Sequence, residues 1–393
     1  MKSFMTDLSI SSLVAGLVSL LVGYASSAII VYQAAIASGA SPEEASSWLG
    51  VLCVSMGLLT VFLSLRYKKP IMFAWSTAGG ALLMGSVQGF SLKEIIGAFV
   101  VSALLIFLSG ISGVFEKMMN KIPVGIASAM LAGVLLHFVL DVFLSMKIQP
   151  ILALLMIITF ILGKKFTPRF NIVFVLFIGV LSAYFLDLIH VEPLQFAIMR
   201  PLFTKPEFDF HAMISLSIPL FFVTMASQNL TGVAVMKANH FEAPISKLIA
   251  WSGMMNLIVA PFGGFTLNLS ALTASICMGP EAHPDPNKRY TAAVSSGVFY
   301  ILIGLLAGTV VSLFNSFPKE LTSCLAGLAL MSTVTNGLVS SIKDEKNLES
   351  SMFTFFVTAS GVSLIGIGSA FWGLIAGTLC SLIFKIGKNK YEN

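Results

Sequence analysis

The sequence predicts an all-α integral membrane protein with about 14 transmembrane segments, arranged as two inverted repeats of seven. Three observations predict this fold class. Of the 393 residues, 56% are hydrophobic and only 10% are charged. Apolar runs long enough to cross a bilayer recur from end to end, and several short motifs return later in the chain at a nearly constant offset.

Charged and proline-rich connectors separate the segments. They begin near residues 10, 45, 70, 93, 122, 148, 170, 211, 246, 263, 290, 319, 350 and 367. If the N-terminus is cytoplasmic, alternation of sides places 18 of the 23 lysine and arginine residues inside, as the positive-inside rule requires. Two cytoplasmic termini are therefore predicted. The first segment has no small-residue cleavage site and is interpreted as a retained helix.

Composition and motifs also exclude several classes of function. The net charge of +5 comes from the connectors, and no basic patch with stacking aromatic residues is present, so no nucleic-acid partner is predicted. The four cysteines are scattered singly and fit neither a disulfide framework nor a metal site: Cys53, Cys277, Cys324 and Cys380. Because a P-loop, a nucleophile elbow and paired catalytic acids are all missing, the sequence predicts neither an enzyme, a cofactor nor an ATP-driven pump.

The repeats rest on matched landmarks. In the first half, an Asn-x-x-Pro motif ending at Pro123 precedes a Leu-Ala-Gly motif ending at Gly133; in the second half, the same motifs end at Pro318 and Gly327. Residues 24–42 and 74–85 also parallel 225–244 and 263–279. Because seven is odd, the second copy must enter the membrane from the opposite side, as in secondary transporters. The predicted repeats cover residues 1–190 and 211–393, joined by an extracytoplasmic linker over 191–210.

Segments 3 and 10 look broken. AWSTAGGALL (74–83) and PFGGFTLNLSALTAS (261–275) place Gly, Pro and hydroxyl residues where a continuous helix would favour Leu. In a bilayer, irregular backbone is tolerated only where it is buried in protein or lines a cavity. Two half-helices with N-termini at one midplane spot would present free N–H groups to an anion. The alternative is that the small residues merely allow close helix packing.

The polar part of segment 8 supplies further candidates. LFFVTMASQNLTGVAVM (220–236) is apolar but contains Ser227, Gln228, Asn229 and Thr231 without a charge. Next to the broken segments, amides and hydroxyls would suit an anion that fixed carboxylates would repel; interhelical hydrogen bonding is the alternative for each residue. Aromatic side chains nearby would sandwich a planar ring. The predicted substrate-binding residues are Ser76, Thr77, Ser227, Gln228, Asn229, Thr266, Asn268, Tyr24 and Phe265.

Several stretches resemble the benzoate:proton symporter family of bacterial inner-membrane proteins: GYASSAIIVYQAA, AWSTAGGALL, VTMASQNLTGVAVMKA, CMGPEAHPDPNKR and TASGVSLIGIGSAFWGLIAG. The resemblance covers nearly the whole chain. It implies proton-coupled uptake of benzoate or a similar aromatic carboxylate by alternating access. It also implies the fold of nucleobase/ascorbate and sulfate-type anion transporters, in which a core domain (about 10–120 and 211–316) moves against a gate domain (about 121–190 and 317–390). Relatives of that fold form homodimers through the gate domain.

One departure from that wider fold affects the coupling ion. Its proton-coupled nucleobase carriers have a Glu in segments 8 and 10, where this chain has 226–228 (ASQ) and 270–273 (SALT), so a uracil-like ligand is disfavoured. His137 and Asp141, four residues apart in segment 5, are the candidate proton-coupling pair. A structural or solvated role for the pair, or a proton carried by the substrate's own carboxyl group, are the alternatives.

Other hypotheses remain open at this stage. Residues 280–289 contain Glu281, His283 and Asp285, which favour a structured cytoplasmic connector or inner gate over a metal loop, and no metal is predicted. The rival functions are a transporter or channel for another small anion or nucleobase-like solute, and a membrane-embedded enzyme. A channel would never drive uptake beyond equilibrium, and an enzyme would need converging acids, bases or metal ligands.

Overall fold

A computed structural model describes residues 2–113, 123–189, 196–362, 364 and 369–391. Most of these residues are helical. In the first half, strand β1 (Phe73–Trp75) accompanies the helices α1 (Lys2–Asp7), α2 (Ile10–Ala37), α3 (Pro42–Tyr67), α4 (Thr77–Ser86), α5 (Leu92–Ile111), α6 (Val124–Ser145), α7 (Pro150–Phe166) and α8 (Asn171–Phe185). Serine capping boxes begin α2, α3 and α5, because the serine side chain satisfies a free N–H group of the first turn.

In the second half, α9 is one continuous helix over residues 210–238, in which π-helical turns at Met213–Ser217 and Val223–Asn229 interrupt the α-helical hydrogen bonding. Strand β2 (Leu267–Leu269) accompanies α10 (Ile245–Val259), α11 (Leu272–Met278), α12 (Tyr290–Leu305), α13 (Ala307–Asn315), α14 (Lys319–Lys343), α15 (Leu348–Ala359) and α16 (Ser369–Tyr391). Short 3₁₀ turns lie at Pro168–Phe170, Ala260–Phe262, Pro286–Lys288 and Glu345–Asn347.

Each predicted segment start lies within four residues of the start of a helix or strand. Within the described residues, seven helices are long and apolar enough to cross a membrane, and a pair bent by 61° at the α12–α13 junction would make an eighth. The chain is therefore a mostly helical, multi-pass membrane protein. The count of 14 crossings stays a prediction, since several elements, including α8, are shorter.

The two broken segments contribute one strand each to a two-stranded sheet. β1 and β2 pair antiparallel, with Phe73 opposite Leu269, Ala74 opposite Asn268 and Trp75 opposite Leu267. An all-α prediction does not include this pair of strands. The pairing joins positions 194 residues apart, so local periodicity could not reveal it.

Helix packing divides the described elements into two groups. α6 packs on α14 and α15, α15 packs on α16, and α7 packs on α8. The strands, α2 to α5 and α9 to α13 form the other group, in which α3 packs closely on α12 and α5 on α10. α3 and α12 correspond to segments 2 and 11. Seven segments away from them in the other half are α10 (segment 9) and α5 (segment 4), which pack on each other in the same way. An inverted repeat would produce this relation between contacts.

The described part of the linker, residues 196–209, is extended and contains no helix. Its backbone N–H groups donate to groups on four helices and one turn: Ala197 to Thr309 Oγ1 (3.1 Å), Met199 to Leu305 O (2.9 Å), Leu202 to Ser47 Oγ (2.9 Å), Thr204 to Pro261 O (2.8 Å) and Glu207 to Lys93 O (3.0 Å). The Glu207 carboxylate also lies 3.3 Å from Lys93 Nζ. These partners belong to or adjoin α13, α12, α3, α10 and α5, so the linker is bound to the group that contains the strands. Residues 191–195, where the predicted linker begins, lie outside the described residues.

Gly97 permits this attachment, because a Cβ there would overlap the carbonyl oxygen of Glu207. Gly97→Ala should therefore lower the free energy of unfolding by about 1–3 kcal/mol through overpacking and increase cleavage of the linker by chymotrypsin after Phe203 and Phe208. The melting temperature in detergent and the cleavage rate are the measurements. Gly85→Ala is the matched control, because a Cβ at Gly85 meets no atom within 4 Å. Equal behaviour of the two variants would contradict the linker attachment.

Candidate functional site

The strand pair lies where the two broken segments meet. Ser76 N–H donates to Thr266 O (2.8 Å) at one end of the pair, and Ser270 N–H donates to Met72 O (2.9 Å) at the other. α4 begins immediately after the first end and α11 shortly after the second. The helix N-termini are therefore separated by the length of the strands, about 10 Å for three residues, rather than converging on one spot. The antiparallel pairing of the strands is the reason.

The strand pair has two unlike faces. Because side chains alternate along a strand, Ala74 and Asn268 share one face, and the polar residues that flank the strands continue it. We define this polar face as Ala74, Ser76, Thr266, Asn268 and Ser270. The opposite face carries only large apolar side chains: Phe73, Trp75, Leu267 and Leu269. The polar face is accordingly the side of the breaks that offers hydrogen-bonding groups.

Side chains from neighbouring helices satisfy the outer edges of both strands. Asn256 of α10 accepts from Leu267 N–H (2.9 Å) and donates to Leu267 O (3.4 Å). Asn229 of α9 accepts from Leu269 N–H (2.8 Å). On the other strand, Phe73 N–H donates to Thr60 Oγ1 of α3 (3.0 Å). Since an unpaired backbone group is costly in an apolar interior, these contacts make the irregular backbone tolerable.

This arrangement changes the role of one predicted residue and adds another. Asn229 is expected to bind substrate, but its side-chain oxygen accepts the Leu269 N–H. Its Nδ2 donates to Met225 Sδ, 3.3 Å away. Asn256 was missed by the sequence analysis. The available signal was an uncharged amide in the middle of apolar segment 9, WSGMMNLIVAP.

Two predicted hydroxyl residues also hold the breaks together. Ser76 Oγ accepts from Gly79 N–H (2.9 Å) and so caps α4. Thr266 Oγ1 accepts from Thr224 Oγ1 of α9 (3.0 Å). Both residues are fully buried. These contacts tie α4, β2 and the π-helical turn of α9 into one unit.

Thr77 and Gln228 have the freedom that a ligand-binding residue needs. Both are half-buried, and neither side chain makes a hydrogen bond to another described residue. Gln228 lies in the π-helical turn Val223–Asn229, a feature frequent at functional sites. The Ser227 side chain lies outside the described part of the structure, so its predicted role stays a prediction.

Aromatic side chains line the apolar face. Trp75 lies edge-on to Tyr24 (5.9 Å between ring centroids) and to Tyr300 (6.3 Å), and its indole N–H donates to Ser27 Oγ (2.9 Å). The Tyr24 hydroxyl is buried and has no hydrogen-bond partner among the described residues. Tyr24 therefore stays a candidate, next to the strands.

Phe265 lies in a different environment from the one predicted. It is fully buried and packs against Trp48 of α3 and Phe99 of α5, with ring centroids 6.4 and 6.0 Å away. These contacts make it part of the hydrophobic core between helices. A role in sandwiching a substrate ring stays a prediction that the packing does not favour.

Asn268 differs from the other two amides of the strand region. Its Nδ2 donates to Leu269 O (3.0 Å), which fixes the orientation of the amide. Its Oδ1 is buried and has no hydrogen-bond partner in the described part of the chain, although the residue is only 1% exposed. The polar face thus carries an unused acceptor.

The chain is similar to known membrane proteins over nearly its whole length. The family model for benzoate membrane transport proteins, BenE, matches residues 6–383. The inner membrane protein YdcO of Escherichia coli is 41% identical over 97% of this chain and 98% of its own length. A benzoate membrane transport protein of Acinetobacter baylyi is 36% identical over 98% of this chain and 97% of its own length.

This chain belongs to the BenE family of benzoate membrane transport proteins. The family resemblance predicted from the sequence is confirmed, and the protein is a membrane transporter and not an enzyme.

Solved structures agree on the fold of this BenE-family protein. The transmembrane domain of a cyanobacterial bicarbonate transporter, BicA, has a TM-score of 0.63 at 14% identity and covers 94% of this chain and 97% of its own. SLC26A9 has a TM-score of 0.61 at 11% identity, covering 98% of this chain and 67% of its own. At these identities the likeness shows the fold alone.

The remaining candidates of the BenE-family chain lie on other elements. His137 and Asp141 are both exposed on α6, and His137 Nε2 lies 2.9 Å from Ala359 O at the end of α15. Within the described residues the two side chains form no ion pair with each other. Their part in proton coupling stays a prediction.

The 279–289 loop is a structured connector. His283 Nδ1 accepts from Asp285 N–H (3.0 Å), and the Arg289 guanidinium donates to His283 O (2.9 Å) and Met278 O (2.8 Å). The described residues contain no group of three His, Cys, Asp or Glu side chains that could hold a metal ion. The loop fixes the passage from α11 to α12.

The edge contacts can be tested on Asn256. Asn256→Leu keeps the approximate volume but leaves a buried N–H and a buried C=O of Leu267 unpaired, at a cost of about 1–3 kcal/mol each. We expect a fall in melting temperature in detergent and loss of ligand binding together. Asn336→Leu, the same exchange at an exposed position of α14, should leave both unchanged. A stable Asn256→Leu protein would show that the strand edge does not depend on this side chain.

Proposed function

We propose that this protein is a secondary active transporter of a bacterial inner membrane that takes up benzoate or a similar aromatic carboxylate together with protons, by alternating access. The observation that carries the proposal is the uncharged polar face at the paired breaks, within a chain of the benzoate transport family. The benzoate transport named for one relative and the inner-membrane location named for another support the substrate class and the membrane.

The chemistry of the breaks supports a small organic acid as the substrate. No Asp, Glu, Lys or Arg occurs in the elements at the breaks, which are β1, α4, β2, α11 and the π-helical turn of α9. Hydroxyl and amide groups can hydrogen-bond a carboxyl group without the desolvation cost of a buried ammonium group. Thr77 and Gln228 have polar groups free for this purpose, and Tyr24 and Trp75 offer aromatic surface next to the strands.

The two groups of helices support a moving core and a stationary gate. The core would contain α2 to α5 and α9 to α13, and the gate α6 to α8 and α14 to α16, close to the predicted domains. The linker is hydrogen-bonded to the first group, which favours its moving with the core. We further propose that the two halves are inverted repeats of seven segments, that both termini are cytoplasmic and that two copies associate through the gate.

The decisive experiment is uptake of radiolabelled benzoate into proteoliposomes, with and without an inward proton gradient. Uracil, sulfate and aliphatic carboxylates serve as competitors. Accumulation above equilibrium that requires the gradient, and that only aromatic acids inhibit, would establish the function. Uptake that stops at equilibrium would support a channel instead, and indifference to benzoate would reject the substrate class while leaving the fold intact.

The free amide of Gln228 gives a second test. Gln228→Ala should weaken benzoate binding about tenfold, the effect of about 1.4 kcal/mol, without lowering the melting temperature, because the side chain has no partner within the described protein. Gln33→Ala is the matched control: Gln33 is also half-buried but lies nine residues beyond Tyr24 on α2, about 13 Å along the helix. Binding is measured by scintillation proximity. Unchanged affinity in Gln228→Ala would remove this residue from the site.

A further inference from the structure

The unused acceptor on the polar face constrains the form in which a carboxyl group can bind. A carboxylate has only acceptor oxygens, so it would place like partial charges against Asn268 Oδ1. A protonated carboxyl group has one O–H donor and one C=O acceptor. Only the protonated form complements a buried acceptor, and a buried acceptor without a donor is costly.

The orientation of Asn268 is fixed by a contact of its own. Its Nδ2 donates to Leu269 O, so an exchange of the oxygen and nitrogen positions would place the amide oxygen against a carbonyl oxygen. Opposite Asn268, Ala74 is half-buried, whereas Phe73 and Trp75 on either side of it are buried. The accessible part of the strand pair is therefore the small side chain that shares the polar face with Asn268.

The charges of the surrounding helices are compatible with a protonated carboxyl group at the strands. In the helices packed against the strands, the charged residues and histidines all belong to terminal turns of the sequence: Glu43, Glu44 and Arg66 of α3, His211 and Lys237 of α9, and Lys247 of α10. The other titratable groups of α2, α3, α11 and α12 are phenols and thiols: Tyr24, Tyr32, Cys53, Tyr67, Cys277, Tyr290 and Tyr300. Among the described residues of these helices, no cation lies at the strands to balance a carboxylate, and burial without a partner favours the neutral acid.

We propose that Asn268 Oδ1 accepts the O–H of the substrate's carboxyl group, so that the protein carries its aromatic acid in the protonated, neutral form. This inference rests on the proposed function. The carboxylate takes up one proton from the outer solution as it binds, and the same O–H bond breaks on release to the cytoplasm. The C=O accepts from Thr77 or the free N–H groups of the first turn of α4, which begins three residues after Ala74. One proton then crosses with each substrate, without a titrating side chain.

The test is displacement of radiolabelled benzoate from the purified wild-type protein by two analogues. Benzamide is neutral and has both a donor and an acceptor, whereas benzenesulfonate is an anion that has only acceptors. We expect benzamide to displace benzoate and benzenesulfonate to fail at hundredfold higher concentration. Displacement by benzenesulfonate, or failure of benzamide, overturns the inference. If benzoate does not bind at any pH, the proposed function itself fails.

The pH dependence gives a second readout that does not depend on a variant folding. Above the pKa of free benzoic acid, the apparent affinity for total benzoate should fall about tenfold per pH unit, as the neutral fraction does, while the affinity for benzamide stays constant. An affinity for benzoate that is independent of pH contradicts the inference.

Variants locate the effect. Asn268→Ala should weaken the binding of both benzoate and benzamide about tenfold. It should also reduce the preference for benzamide over benzenesulfonate. The control Asn336→Ala, at an exposed amide of α14, should change neither the affinities nor the preference. Gradient-driven accumulation of benzoate by the His137→Ala and Asp141→Asn variants separates this inference from the alternative in which that pair carries the proton. Loss of accumulation with retained counterflow in either variant would instead assign the proton to that pair and overturn the inference.

Discussion

The need to satisfy backbone hydrogen bonds inside an apolar interior is the constraint on which this structure depends. Two segments begin with a strand instead of a helix. Their backbone groups must find hydrogen-bond partners within the protein because lipid offers none. The strands pair with each other, and Asn229, Asn256 and Thr60 complete their outer edges. Much of the polarity in the apolar segments is thus used to make the breaks stable.

Close approach of helices is the second requirement, and glycine meets it where contacts are tightest. A Cβ at Gly232 would lie 2.6 Å from Leu269 O, so α9 could not otherwise deliver Asn229 to the strand edge. A Cβ at Gly23 would overlap the Tyr300 hydroxyl, at the aromatic cluster around Trp75. The small residues that allow packing and the polar residues that satisfy the backbone therefore act together.

A site without charged side chains has a physical consequence for transport. A fixed cation would hold a carboxylate tightly in both conformations, and a fixed carboxylate would exclude it. The uncharged polar face does neither, so in the proposed mechanism binding and release depend on hydrogen bonds and on the protonation of the substrate.

Composition and local pattern determined the membrane class, the segment starts, the positions of both breaks and the family, because each is a property of contiguous residues. Five of the nine predicted substrate-binding residues also lie in the broken segments. Their roles were decided only by tertiary structure: Asn229 holds the strand edge, Phe265 packs in the core, and Asn268 keeps a free acceptor. The reason is that Ala74 and Asn268 are 194 residues apart, and the register that sorts anchoring from free side chains exists only once the two halves have come together.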